Sequence, residues 1–128
     1  MEWMLLPLKR YADFEGRSRR LEYWMFALMN IVVAVALLIL TLENYDTAVG
    51  RTNSLGTVTL ALFLIHGLVV ALPSLALQVR RFHDLDKSGW FVLFNLIPAI
   101  GPLIVLVITC LPGTTGANRY GSDPKQLR

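Results

Sequence analysis

The sequence predicts an all-α fold: a small multi-pass transmembrane helical protein with three apolar segments, the third broken at Pro98 and Pro102 (residues 98–102). Three observations predict it. Hydrophobic residues make up 55% of the 128 positions and charged residues only 16%, against about 25% charged in ordinary soluble domains. Residues 23–42, 55–79 and 90–111, stretches of 20, 25 and 22 residues, contain no Asp, Glu, Lys or Arg. Within them, runs such as 31–40 are apolar on every side, without the polar stripe that a surface helix of a soluble protein carries.

The chain reads as a single membrane domain over 1–128. Residues 1–22 form an interfacial segment rich in Arg. A helix rises about 1.5 Å per residue and the hydrocarbon core is about 30 Å thick, so each apolar segment is long enough to cross it. Segment 23–42 follows 22 residues of chain, is too long for a signal-peptide core and has no small-x-small site after it; it is expected to stay as an anchor. In segment 55–79, Gly67, Ala71, Ser74 and Ala76 are expected to permit close helix packing. The polar groups Asn30, His66, Gln78 and Asn95 lie inside the apolar segments and are expected to hydrogen-bond between helices. Residues 112–128 are turn-rich in Gly, Pro, Asn and Asp. The composition excludes intrinsic disorder, and the single cysteine, Cys110, excludes an internal disulfide framework and a thiolate metal cluster.

Orientation follows from the basic residues in the flanks, because Lys and Arg stay preferentially cytoplasmic. Residues 1–22 carry Lys9, Arg10, Arg17, Arg19 and Arg20, residues 43–54 only Arg51, and residues 80–89 Arg80, Arg81 and Lys87. The N-terminus and second loop are therefore cytoplasmic and the first loop is not. The tail carries Arg119, Lys125 and Arg128. A third segment that crosses leaves eight basic residues inside and four outside; one that dips in and returns leaves eleven and one. The prolines favour a break, whereas a re-entrant turn needs protein to bury its backbone polar groups. Both topologies stand.

Polar clusters flank the segments. Gly16, Arg17, Arg20 and Glu22 precede Tyr23 and Trp24, an interfacial anchor whose Arg forks also match phosphate oxygens. Arg80, Arg81, His83 and Asp84 end the second segment; Arg80 and Asp84, four apart, are expected to pair on one helix face. His83 beside Asp84 offers an acid and a base, without a separate nucleophile or metal set. The tail glycines lack the lysine and following helix of a phosphate-binding loop. No catalytic, cofactor-binding or metal-ligating set is expected.

Taken in order, these clusters resemble domain-of-unknown-function family 805, the YhaH-like bacterial inner membrane proteins, over nearly the whole chain. Phe14, Gly16, Arg17, Arg20, Glu22 and Trp24 match its opening motif. Arg80, Arg81, His83 and Asp84 match an Arg-Arg-Leu-His-Asp signature in which Phe82 replaces leucine, and Ser88, Gly89 and Trp90 open the last segment. Pro98 and Gly101 match its break, and Gly113, Gly116, Asn118, Arg119, Tyr120, Gly121 and Pro124 its closing motif. Asp86 stands where the family often has glycine, so a left-handed backbone there is less easily tolerated. The resemblance implies a small multi-pass plasma-membrane protein and brings no reaction, substrate or cofactor.

The expected function is that of a bacterial inner-membrane protein, more an interaction protein than an enzyme, in which Arg17, Arg20, Arg80, Arg81, Asp84 and Arg119 join in a charged collar at the cytoplasmic face. Gly16, Glu22, His83 and Asn118 belong to the same candidate site. Its expected partners are the bilayer with anionic headgroups, and a second copy or another membrane protein. The alternatives are an oligomeric small channel, holin-like pore or transporter, and a headgroup-level enzyme using His83 and Asp84. The net charge of +3 and the pI near 9.4 are explained by the cytoplasmic flanks, with no nucleic-acid partner.

Overall fold

A computed structural model describes residues 2–126. Arg128, counted among the tail's basic residues above, lies outside the described residues. The elements in order are α1 (Glu2–Lys9), α2 (Arg20–Glu43), strands β1 (Tyr45–Asp46) and β2 (Arg51–Thr52), α3 (Ser54–Asp84), a 3₁₀ helix (Gly89–Leu96) and α4 (Ile100–Cys110). Helices α2 and α3, of 24 and 31 residues, are long and apolar enough to cross a membrane. They pack antiparallel through the short β1–β2 hairpin, in which Tyr45 pairs with Thr52 and Asp46 with Arg51.

The two ends of this helix pair differ. At the hairpin end, Thr41 donates to the Thr59 hydroxyl at 2.9 Å, and Asn53 caps α3 by accepting from the Gly56 N–H at 2.9 Å. The middle carries exposed Leu, Ile and Val along both helices, suited to lipid. At the opposite end lies the buried core of Phe26, Ala76, Leu77, Phe82 and Val105.

Helix α3 contains Pro73 and continues through it. Proline lacks the N–H that would bond the carbonyl four residues back, here that of Val69. The Tyr11 hydroxyl, from the turn after α1, donates to that carbonyl. A carbonyl that proline leaves without its helical donor thereby finds another.

The third apolar segment does not form a single helix. Its eight-residue 3₁₀ half and its eleven-residue α half each extend about 16 Å, half of a hydrocarbon core. They fold back on each other: Gly89 begins against Val79 and His83, and the carbonyls that end α4 return to Arg81 on the same last turns of α3. The break falls at residues 97–99, slightly before the expected position. Ala99 adopts φ +64°, and Pro102, third in α4, sits in a first turn that needs no proline N–H. Gly101 closes the fold, since a Cβ there would lie 1.6 Å from the Phe94 carbonyl oxygen.

Two packing expectations are corrected. Gly67 has open space around it, and of Gly67, Ala71, Ser74 and Ala76 only Ala76 is buried. Of the polar groups, Asn95 does bond Gln78 across helices at 2.8 Å, but Asn30 donates to Phe26 of its own helix at 2.8 Å. His66 and Asn30 line one apolar groove between α2 and α3, and among the described residues His66 Nε2 and Asn30 Oδ1 have no hydrogen-bond partner.

The two glycines give a direct check. Gly101→Ala should lower stability by about 1–3 kcal/mol, as overpacking does, whereas Gly67→Ala should leave it unchanged or raise it. Thermal unfolding of both variants in detergent measures the difference.

A buried arginine–carboxylate cluster as candidate functional site

The site is built where the start of α2, the end of α3, the end of α4 and the tail meet. Gly16, at φ +76°, turns the chain into this junction, and the Ser18 N–H donates to the Arg80 carbonyl at 3.2 Å. Arg17 is thereby aimed inward and is 6% exposed. Its Nε donates to Asp84 Oδ1 at 3.0 Å. Its Nη atoms donate to the carbonyls of Gly116 and Thr114, both at 2.6 Å, and to the Thr114 hydroxyl at 3.1 Å.

Asp84, 3% exposed, is shared. Its second oxygen accepts from Arg81 Nη1, while Arg81 Nε donates to Thr109 at 3.1 Å and Nη2 to Leu111. Arg20 Nη1 reaches the intervening Cys110 carbonyl at 3.3 Å. Three successive carbonyls at the C-terminus of α4 thus face guanidinium groups, the favoured charge for a helix C-terminus. Gly113 passes so close to Asp84 that a Cβ would lie 1.9 Å from its Oδ2; only glycine fits.

The expected Arg80–Asp84 pair is not formed. Arg80 faces the other side of α3, where Nη2 lies 3.6 Å from Glu22 Oε1 and Nη1 donates to the Asp13 carbonyl at 3.0 Å. Asp84 is occupied by Arg81 and Arg17 instead, three residues back on its own helix and across to the α2 entry. Arg80 and Arg81 are both 0% exposed, so the cluster is an interior feature and not a surface anchor.

The tail closes over this end. The Thr114 N–H donates to the Asp84 carbonyl at 2.8 Å, and Asn118 Nδ2 donates to the His83 carbonyl at 2.9 Å, so the last carbonyls of α3 are satisfied. His83 stacks on Tyr120 with centroids 3.8 Å apart, and its Nδ1 faces the Gly16 carbonyl at 3.2 Å. Arg119 pairs with Asp86 at 3.1 Å in an exposed position, and Asp86 itself takes φ +55°, the left-handed conformation for which glycine is favoured. His83 and Asp84 therefore face different partners. With both Asp84 oxygens held by arginines, the pair offers no shared acid–base centre. Among the described residues, no three His, Cys, Asp or Glu side chains converge as a metal site.

Sequence reasoning missed three participants. Tyr11 was signalled only by a proline in the middle of α3, Asp123 only by the tail's turn composition, and the α4 carbonyls by nothing in the side-chain pattern. Asp123 accepts from the Gly116 N–H at 3.2 Å and the Lys125 N–H at 2.9 Å. The Lys125 N–H holds its carboxyl below the usual range against an opposing effect of burial, helped by the Gly116 N–H and the charges of Arg17 and Lys125.

Two outcomes follow from this geometry. Asp84→Asn leaves two buried guanidiniums without their anion and should cost about 3–5 kcal/mol, read by denaturation in detergent micelles. Because the folded pKa of Asp123 lies below the unfolded one, its contribution is complete above the unfolded carboxylate range and is lost as pH falls through the folded value. Hydrogen exchange of tail amides should show that acid loosening, and Asp123→Asn should remove the step.

A family model described as "Protein of unknown function (DUF805)" matches residues 11–122. The Escherichia coli (strain K12) protein named "Inner membrane protein YhaH" is 46% identical over 127 residues, 98% of each chain. "Inner membrane protein YhaI" of the same strain is 43% identical over 125 residues, 98% of this chain and 97% of its own length. No solved structure matches. The match takes in the turn at Gly16, the Arg80–Asp84 end of α3 and the tail that covers it, and on it the chain belongs to the DUF805 family of proteins of unknown function.

Proposed function

We propose that this chain is a multi-pass protein of the bacterial inner membrane with both its N-terminus and its tail in the cytoplasm. It acts without catalysis, through a rigid charged platform at the cytoplasmic face that engages anionic headgroups or a membrane protein partner. The carrying observation is the binding of Arg17 to Thr114 and Gly116 while Arg81 holds Thr109 and Leu111. These bonds tie the tail to the end of the helix pair where α2 begins. The third segment is then re-entrant, with α2 and α3 as the crossing helices.

Charge supports the same reading. In this topology every basic residue except Arg51 lies on one side, the stronger positive-inside asymmetry of the two open to the sequence. The break itself, residues 97–99, is exposed, and its backbone bonds are met within the segment: the Ile97 N–H donates to the Phe94 carbonyl at 2.9 Å and the Gly101 N–H to the Ile97 carbonyl at 3.0 Å. The two relatives are named as inner membrane proteins, and their membrane is the one expected here.

Reporter fusions test the topology: a fluorescent protein at the C-terminus should glow, and alkaline phosphatase should be active inserted after Ala48 but inactive at the C-terminus. Phosphatase activity at the C-terminus overturns the proposal. Native-membrane nanodiscs holding the protein should be enriched in anionic lipid or contain a stoichiometric protein partner; bulk lipid alone overturns the platform role.

A further inference from the structure

A cleft of about 630 Å³ opens beside the buried cluster, between the start of α2 and the tail. Arg19, Arg20 and Lys125 line it, with Leu21 and Trp24 as an apolar wall. Among the described residues its one carboxylate, Asp84, is 3% exposed and committed to Arg17 and Arg81. The accessible charge in the cleft is therefore cationic. Three ion pairs lie around the cluster: Arg10 with Asp13, Arg80 with Glu22, and Arg119 with Asp86.

The cleft is assembled by the fold and not by sequence proximity. Arg19 donates to the Pro124 carbonyl, Nε at 2.6 Å, and the Asp123 turn fixes the next residue. Together they deliver Lys125 to the rim of a cleft whose other cations lie more than a hundred positions earlier. Arg20 and Trp24, four apart, share one face of α2. Arg20 spends a single 3.3 Å contact on the protein, leaving most of its five N–H donors to a ligand. Leu21 and Trp24 are 50% and 36% exposed, and an indole of this kind sits at headgroup level.

We propose that this cleft binds the phosphate group of an anionic phospholipid, with Arg20 and Lys125 as the phosphate-contacting side chains and Leu21 and Trp24 against the upper acyl chain. The combination of cations with an apolar wall in one cleft is what a lipid phosphate requires; a free phosphate would use the cations and leave the wall idle. The inference rests on the cytoplasmic placement of the start of α2 proposed above, and it narrows the platform to one pocket and one ligand chemistry.

The test uses the full-length chain with Trp3→Phe and Trp90→Phe, so that Trp24 alone reports. It is reconstituted in phosphatidylcholine vesicles containing either brominated-chain phosphatidylglycerol or brominated-chain phosphatidylcholine. Trp24 should be quenched more strongly by the brominated phosphatidylglycerol. Arg20→Gln should lower that selectivity about fivefold, the worth of one cation at an anionic surface, and Lys125→Gln should act alike. Arg20→Lys should retain most of it, which separates lost charge from lost folding. Millimolar inorganic phosphate should leave the quenching unchanged; reversal by phosphate overturns the lipid assignment in favour of a free anion. Selectivity that survives Arg20→Gln with Lys125→Gln overturns the cleft while leaving a platform that attracts anionic lipid. No selectivity in the unsubstituted cleft overturns the cleft and the headgroup arm of the platform together, whereas the fusion reporters judge topology independently.

Discussion

Three guanidinium groups held out of water constrain everything at one end of this molecule. Arg17, Arg80 and Arg81 are between 0% and 6% exposed, and a charge so placed is costly unless it is paired and hydrogen-bonded. One carboxylate, Asp84, answers two of them, and Glu22 faces the third. The other donors of Arg17 and Arg81 go to main-chain carbonyls at the end of α4 and in the tail, while Arg80 Nη1 donates to the Asp13 carbonyl after α1. The position at which α4 stops, the glycine at 113 and the path of the tail are all set by the need to bring those oxygens within reach.

This arrangement divides the protein into a packed end and an open length. Core side chains gather within a few turns of the arginines, while the middle of α2 and α3 presents aliphatic surface. In a bilayer the aliphatic surface needs no protein partner, because lipid tails are as apolar as leucine. What holds the helices in register is therefore polar and terminal: Thr41 with Thr59 at one end, the ion cluster at the other. Hydrocarbon between them acts as solvent, and the usual association of core with the centre of a domain does not apply.

The apolar segments and the residues of the cluster were legible in the sequence because both depend on composition and order. Charge-free runs of membrane length are visible without coordinates, and Arg17, Arg80, Arg81 and Asp84 stand out at their ends. Partner choice was not legible. The i, i+4 rule offered Asp84 to Arg80, but the rule holds for an isolated exposed helix, and here two sides of α3 face different neighbours. The direction of the third segment was equally hidden, since prolines mark where a helix can stop and not where the chain goes next. The continuity of α3 through Pro73 was hidden as well, because Tyr11, far away in sequence, supplies the donor that proline removes.

The bond from Arg17 to the tail has a consequence for how the protein is made. Its acceptors, the carbonyls of Thr114 and Gly116, leave the ribosome about a hundred residues after it. Helices α2 and α3 are inserted before them, with Arg17 and Arg81 awaiting their final partners. Until residues 109–116 arrive, Asp84 is in place but the remaining N–H groups of these arginines are left to water and headgroups at the surface, so the helix end stays wetter and more loosely packed during synthesis. Completion of the interior is thus a late, single event, and a chain stopped short of the tail presents the membrane's quality-control proteases with an unfinished, positively charged mouth.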